Sequence, residues 1–145
     1  MRFPDAIRRV RAWGVLSVGL AIGVAQAAPP QPDAAVLAFL LDKASQEFSQ
    51  PGPMQPRRIK TARLGHLHDA QGRDMDLLCG RFVPMDASGG TAEVPFATLK
   101  TGDYEQWLGS QAAGLCAQST ITWFQGDHAQ ALMQRLQAAA SAPRP

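Results

Sequence analysis

At 145 residues the chain has room for one domain and not comfortably two. Its formal charge of +2 comes from 14 basic and 12 acidic residues, and four of the basic ones fall within the first eleven positions. Without the first 27 residues, ten basic residues face eleven acidic ones and the charge drops to about −1, so no nucleic-acid or membrane-surface partner is expected from bulk charge.

Those first residues read as a leader. Arg2, Arg8, Arg9 and Arg11 precede an apolar run from Trp13 to Val24, which closes on the small-residue exit Ala25-Gln26-Ala27. A basic head, a short apolar middle and a small-residue exit predict a secretory signal peptide over 1–27. The middle falls short of the roughly 18–20 residues a permanent span requires, so no transmembrane segment is expected after cleavage. Arg8-Arg9 suggests the twin-arginine route, but the residues around the pair fit the general secretory route better. A periplasmic or secreted location follows. In an oxidising compartment the only two cysteines, Cys79 and Cys116, are expected to form one disulfide. Closing that loop stabilises the fold by roughly 3–4 kcal/mol. A thiol redox site wants Cys-x-x-Cys, a spacing this chain lacks.

In chain order, 28–32 is a Pro-rich tether and 33–140 a single domain, with 141–145 a disordered tail. Asp33 is placed to cap a helix whose apolar stripe is Leu37, Leu41, Ala44 and Phe48, widened by Val36 and Leu40. Pro51-Gly52-Pro53 stops it. Arg58–His68 reads as a strand, 69–74 as a turn, and Met75–Val83 as the returning strand. Along the second strand Met75, Leu77, Cys79 and Val83 share one face, with Arg81 the exception, while Leu78 and Phe82 take the other. Ser88-Gly89-Gly90 is a turn into a third strand, Ala92–Leu99, where Pro95 favours an edge or a bulge. Tyr104–Leu108 is predicted to be a short helix capped by Asp103 and ended by Gly109, and Ser119–Phe124 a short fourth strand. Gly114 argues against one continuous helix between them. A last helix follows Asp127, which with Gln130 resembles a capping box, and carries Ala129, Leu132, Met133 and Leu136 on one stripe. The sum is an α+β domain with a small, mostly antiparallel sheet of three to four strands. Its N-terminal and C-terminal helices lie on one side, and one disulfide ties it.

Few motifs carry chemistry. His66 and His68 lie two apart in a strand and so point the same way, with Asp69 or His128 as a third ligand. They are the only metal candidates, and a solvated strand end explains them without a metal or any other cofactor. There is no Gly-x-Ser-x-Gly, and Gly89-Gly90 is followed by neither a lysine nor a clear helix. No catalytic residue is therefore assigned. Arg57, Arg58, Lys60 and Arg63 form a basic patch, which protects a strand edge or meets an acidic surface. Tyr104, Trp107 and Trp123 are aromatic candidates for a partner surface.

The central stretch, Leu78-Cys79-Gly80-Arg81-Phe82 followed by Gly89-Gly90 and Phe96, resembles a family of small exported bacterial proteins of unknown function. It departs from that pattern in having Val83-Pro84 after Cys-Gly and Thr91 after Gly-Gly. The resemblance implies an exported α+β module and carries over no functional residue. The leading expectation is a non-enzymatic module that binds a protein or an envelope component. The alternative is a small metal-dependent hydrolase using His66 and His68 with a nearby carboxylate.

Overall fold

A computed structural model of the chain describes residues 27–28, 30–85 and 90–143. The predicted leader therefore lies outside the described residues but for Ala27, as do most of the turn predicted at Ser88-Gly89-Gly90 and the end of the predicted tail. The elements run α1 (Ala34–Phe48), β1 (Pro56–His68), β2 (Asp74–Pro84), β3 (Val94–Lys100), β4 (Tyr104–Leu108), α2 (Gly109–Cys116), β5 (Ile121–Trp123) and α3 (Ala129–Ser141). The strands form one sheet in the order β4-β3-β2-β1-β5, and every adjacent pair is antiparallel. The α+β class holds, but the sheet has five strands rather than three or four.

The added strand is Tyr104–Leu108, expected as a helix. Five residues are too few to nucleate a stable helix, whereas Lys100, Thr98 and Phe96 of β3 offer a ready ladder to Tyr104, Gln106 and Leu108. The fully buried Thr98 donates its hydroxyl hydrogen to Gln106 Oε1 at 2.6 Å, which secures the pairing. Gly109, expected to end a helix, begins α2 instead, and Gly114 sits inside that helix. Pro95 lies in a strand interior to the sheet, yet β4 stops at Leu108 opposite Phe96, so no β4 partner faces the proline.

Both faces of the sheet are covered: the expected N-terminal and C-terminal helices, α1 and α3, share one face, and α2, which was not predicted, takes the other. On one face α1 and α3 pack over Ile59, Ala62, Leu64, Leu78, Phe82 and Phe96. Phe48 from α1 inserts there, with ring centroids 4.9 Å from Phe82 and 5.1 Å from Phe96. On the other face α2 packs Ala112 and Leu115 over Leu67, Leu77, Cys79, Ala97, Leu99 and Ile121. The two-residue alternation predicted for β2 thus sorts its side chains as expected. In β1 the alternation is reset by a bulge between Ile59 and Thr61, which puts Ile59 and Ala62 on the same face although they are three apart.

The helix ends follow local chemistry. Asp33 Oδ1 accepts from Ala35 N at 2.8 Å, as its cap role requires. At α3 the cap position is His128 rather than Asp127. Asp127 Oδ1 still accepts from Ala129 N at 2.8 Å and reaches Ala62 N of β1 at 3.4 Å. Together with Phe124 N donating to Leu64 O and His128 N to Ala62 O, this covers the outer edge of β1 beyond β5. That edge is closed to an added strand.

Candidate functional site

The disulfide fixes the geometry of the α2 face. Cys79 lies on β2, the middle strand, and Cys116 ends α2; the two are bonded with their Cα atoms 6.0 Å apart. Because α2 connects β4 at one edge to β5 at the other, it must cross the sheet. The bond pins its C-terminal end over the centre. Between that end and the β1–β2 ladder lies an open cavity of about 280 Å³.

Arginines line this cavity. In register, Thr61 stands opposite Arg81 and Arg63 opposite Cys79, all on the α2 face, and Arg58 opposite Val83 extends the row past the bulge. Arg63 and Arg81 line the cavity with Thr61, Pro95 and Trp123, and among the described residues no acidic one does. Among the described residues none of Arg58, Arg63 and Arg81 pairs with a carboxylate. The other two members of the predicted basic patch are engaged elsewhere. Lys60 lies 3.9 Å from Glu93, and Arg57 Nη2 donates to Gly90 O at 3.0 Å.

Trp123 completes the wall. Its strand neighbour in β1 is Gly65, where an added Cβ would come within 2.9 Å of the indole ring. The missing side chain lets the ring lie against the strand. The Arg63 guanidinium then sits 4.8 Å from the ring centroid, a cation–π contact that orients the charge without neutralising it. The aromatic candidates are otherwise dispersed. Trp107 lies at the opposite edge of the sheet and donates to Glu105 Oε2 at 3.0 Å. Tyr104, on the other face of β4, donates its hydroxyl hydrogen to Glu47 Oε1 at 2.5 Å, with the Lys43 ammonium 4.8 Å from its ring. The bond to Glu47 raises the Tyr104 pKa above its ordinary value.

The histidines lie at the far end of the same hairpin. His66 is opposite Asp76 and His68 opposite Asp74. His66 Nδ1 lies 2.8 Å from Asp76 Oδ1, and His68 Nδ1 lies 2.6 Å from Asp74 Oδ1. Hydrogen bonding to Asp76 raises the His66 pKa above the ordinary 6.5, and hydrogen bonding to His68 lowers that of Asp74 below 3.8. Asp69, the predicted companion carboxylate, turns back into its own loop. It accepts from Arg73 N at 2.8 Å, Gln71 N at 3.0 Å and Arg73 Nε at 2.6 Å, and its pKa is lowered chiefly by the Arg73 backbone bond. Among the described residues no three His, Cys, Asp or Glu side chains are set to hold a metal ion. The hairpin is therefore basic at its open end and acidic, with two imidazoles, at its turn.

In the sequence Arg58, Arg63 and Trp123 stand out as binding candidates, whereas Arg81 shows only as an exception to the apolar face. The available signal was Arg81 itself, a charge at an inward position of a strand. Gly65 was a second signal, marking a close approach within a strand. Among the described residues no helix is long and apolar enough to cross a membrane. Comparison with protein-family models, curated proteins and solved structures gives no match for the chain.

Proposed function

We propose that the protein is an exported, disulfide-stabilised, non-enzymatic binding module, and that it engages an anionic partner through the α2 face of its sheet. The observation that carries this reading is the row Arg58, Arg81 and Arg63, uncompensated by any carboxylate among the described residues and bordered by Trp123. Three guanidinium groups on neighbouring rows repel one another, and an anion lying across them removes that cost. Arginine and tryptophan are also the residues most enriched at binding hot spots. Support for export comes from the basic head, apolar run and Ala25-Gln26-Ala27 exit, and from the Cys79–Cys116 bond, which suits an oxidising compartment. The hydrolase reading draws no comparable support, because His66 and His68 are each taken up by a cross-strand carboxylate and Asp69 by its own turn.

The test is affinity capture from a cell-envelope extract with the oxidised protein and with an Arg63→Ala/Arg81→Ala variant. The reading expects a partner retained by the first, released by added salt and lost with the variant. An identical set of captured proteins with both would refute it.

A further inference from the structure

We infer that the partner presents an extended acidic peptide, with carboxylates on alternate residues, to the cavity between α2 and the β1–β2 ladder. This rests on the binding reading above and specifies its ligand. Thr61 and Arg63 are two apart on β1, and Arg81 stands opposite Thr61, so the two cavity arginines mark adjacent rows of one face. Arg63 and Arg81 sit on neighbouring strands as a diagonal pair, about 7–8 Å apart. An extended peptide places the side chains of residues i and i+2 on one side about 6.8 Å apart, a difference that long side chains absorb, so an acid-x-acid segment puts one carboxylate on each guanidinium. Each contact is a fork-to-fork pair of charge-assisted hydrogen bonds. Arg58, which pairs with no carboxylate among the described residues, continues the row beyond the bulge for a further acid.

Two guanidinium groups on successive rows, with the flat Trp123 ring beside them, fit an extended ligand carrying two spaced carboxylates better than a single small anion. Trp123 supplies an apolar, flat contact for the backbone or an intervening side chain. Beside the cavity the outer edge of β1 is occupied at Ala62 and Leu64, so the peptide lies on the sheet face and does not pair with β1 as a strand.

The experiment titrates the oxidised full chain into two labelled peptides of the same composition, one alternating Glu-Ser-Glu-Ser-Glu and one, Glu-Glu-Ser-Ser-Glu, with no two acids spaced i and i+2, and reads anisotropy. Inorganic phosphate and phosphatidylglycerol vesicles serve as competitors. The alternating peptide is expected to bind about tenfold more tightly, a 1.4 kcal/mol preference. Arg81→Ala should lose about tenfold or more. Arg81→Lys, which keeps the charge without the fork and preserves the fold, should lie between them. Arg73→Ala, at the far end of the hairpin, should change nothing. Equal binding of the two peptides, competition by phosphate or vesicles at matched charge, or indifference to Arg81 would each overturn the inference. If envelope capture still depends on Arg63 and Arg81 while the alternating peptide gains nothing, the peptide inference falls and the binding reading stands. If capture ignores both arginines, the binding reading itself falls.

Discussion

The Arg63 guanidinium lies 4.8 Å from the centre of the Trp123 ring, and the ring can occupy that place only because residue 65 has no side chain. An alanine there would meet Ile121 Cγ2 at 2.7 Å and the indole at 2.9 Å. Gly65→Ala should therefore push Trp123 off the sheet, shift its fluorescence emission and weaken partner binding. Far-UV circular dichroism should stay near that of the parent, since β5 contributes only three residues to the sheet. Unchanged emission would show that the glycine does not seat the ring.

The same substitution should have opposite effects at two other glycines. At Gly80 a Cβ would lie 2.0 Å from Thr61 O and 2.5 Å from the Phe96 ring, inside a sheet with no room to yield. Gly80→Ala should cost about 3 kcal/mol in urea unfolding, the upper range for an overpacked core. At Gly114, inside α2, a Cβ would meet nothing within 4 Å. Gly114→Ala should stabilise by about 0.5–1 kcal/mol through helix propensity alone.

Removing the disulfide should be felt locally before it is felt globally. The bond joins residues 37 apart and holds α2 to β2, whereas α1, α3 and the phenylalanine cluster pack on the other face without it. A Cys79→Ser/Cys116→Ser variant should lose roughly 3–4 kcal/mol. In hydrogen exchange its α2 amides should open well before those of α1. Uniform loss of protection would mean the two faces unfold as one unit.

The histidine end of the hairpin should respond to pH in a defined window. The His66 pKa is raised above 6.5 chiefly by its bond to Asp76, so the protonated ring is stabilised by folding. That contribution is complete below pH 6.5 and fades as pH rises through the higher folded value. The pKa values of Asp69 and Asp74 are lowered below 3.8, so their contributions are present above that pH and are lost as pH falls through the folded values. The β1–β2 turn should be most stable between roughly pH 4 and 6.5. Titration of the His66 ring by NMR should show a midpoint above 6.5, returning toward it in Asp76→Asn.

Much of this architecture was legible because period-2 and period-3.6 patterns are strong in α1, β2 and α3. Leu77, Cys79, Leu78 and Phe82 sort onto the faces that alternation assigns them, and the pairing of Cys79 with Cys116 followed from there being only two cysteines. The misreadings share a physical origin. Tyr104–Leu108 is too short for periodicity to separate strand from helix, and its state is decided by the tertiary ladder to β3. The bulge in β1 breaks the alternation that would have grouped Arg58, Thr61 and Arg63 on one face. Arg81 joins them only through cross-strand register, which local sequence does not encode. Asp69 was placed beside the histidines by proximity in sequence, but three donors in its own turn hold it away from them.

The proposed function requires a processed, oxidised chain outside the cytosol, and intact-mass measurement of the protein recovered from the envelope and medium fractions tests that at once. The predicted result is a species beginning at Ala28 and two hydrogens lighter than its reduced form, with neither Cys79 nor Cys116 taking up an alkylating reagent. A species that keeps its first 27 residues, or one alkylated at both cysteines, would contradict it.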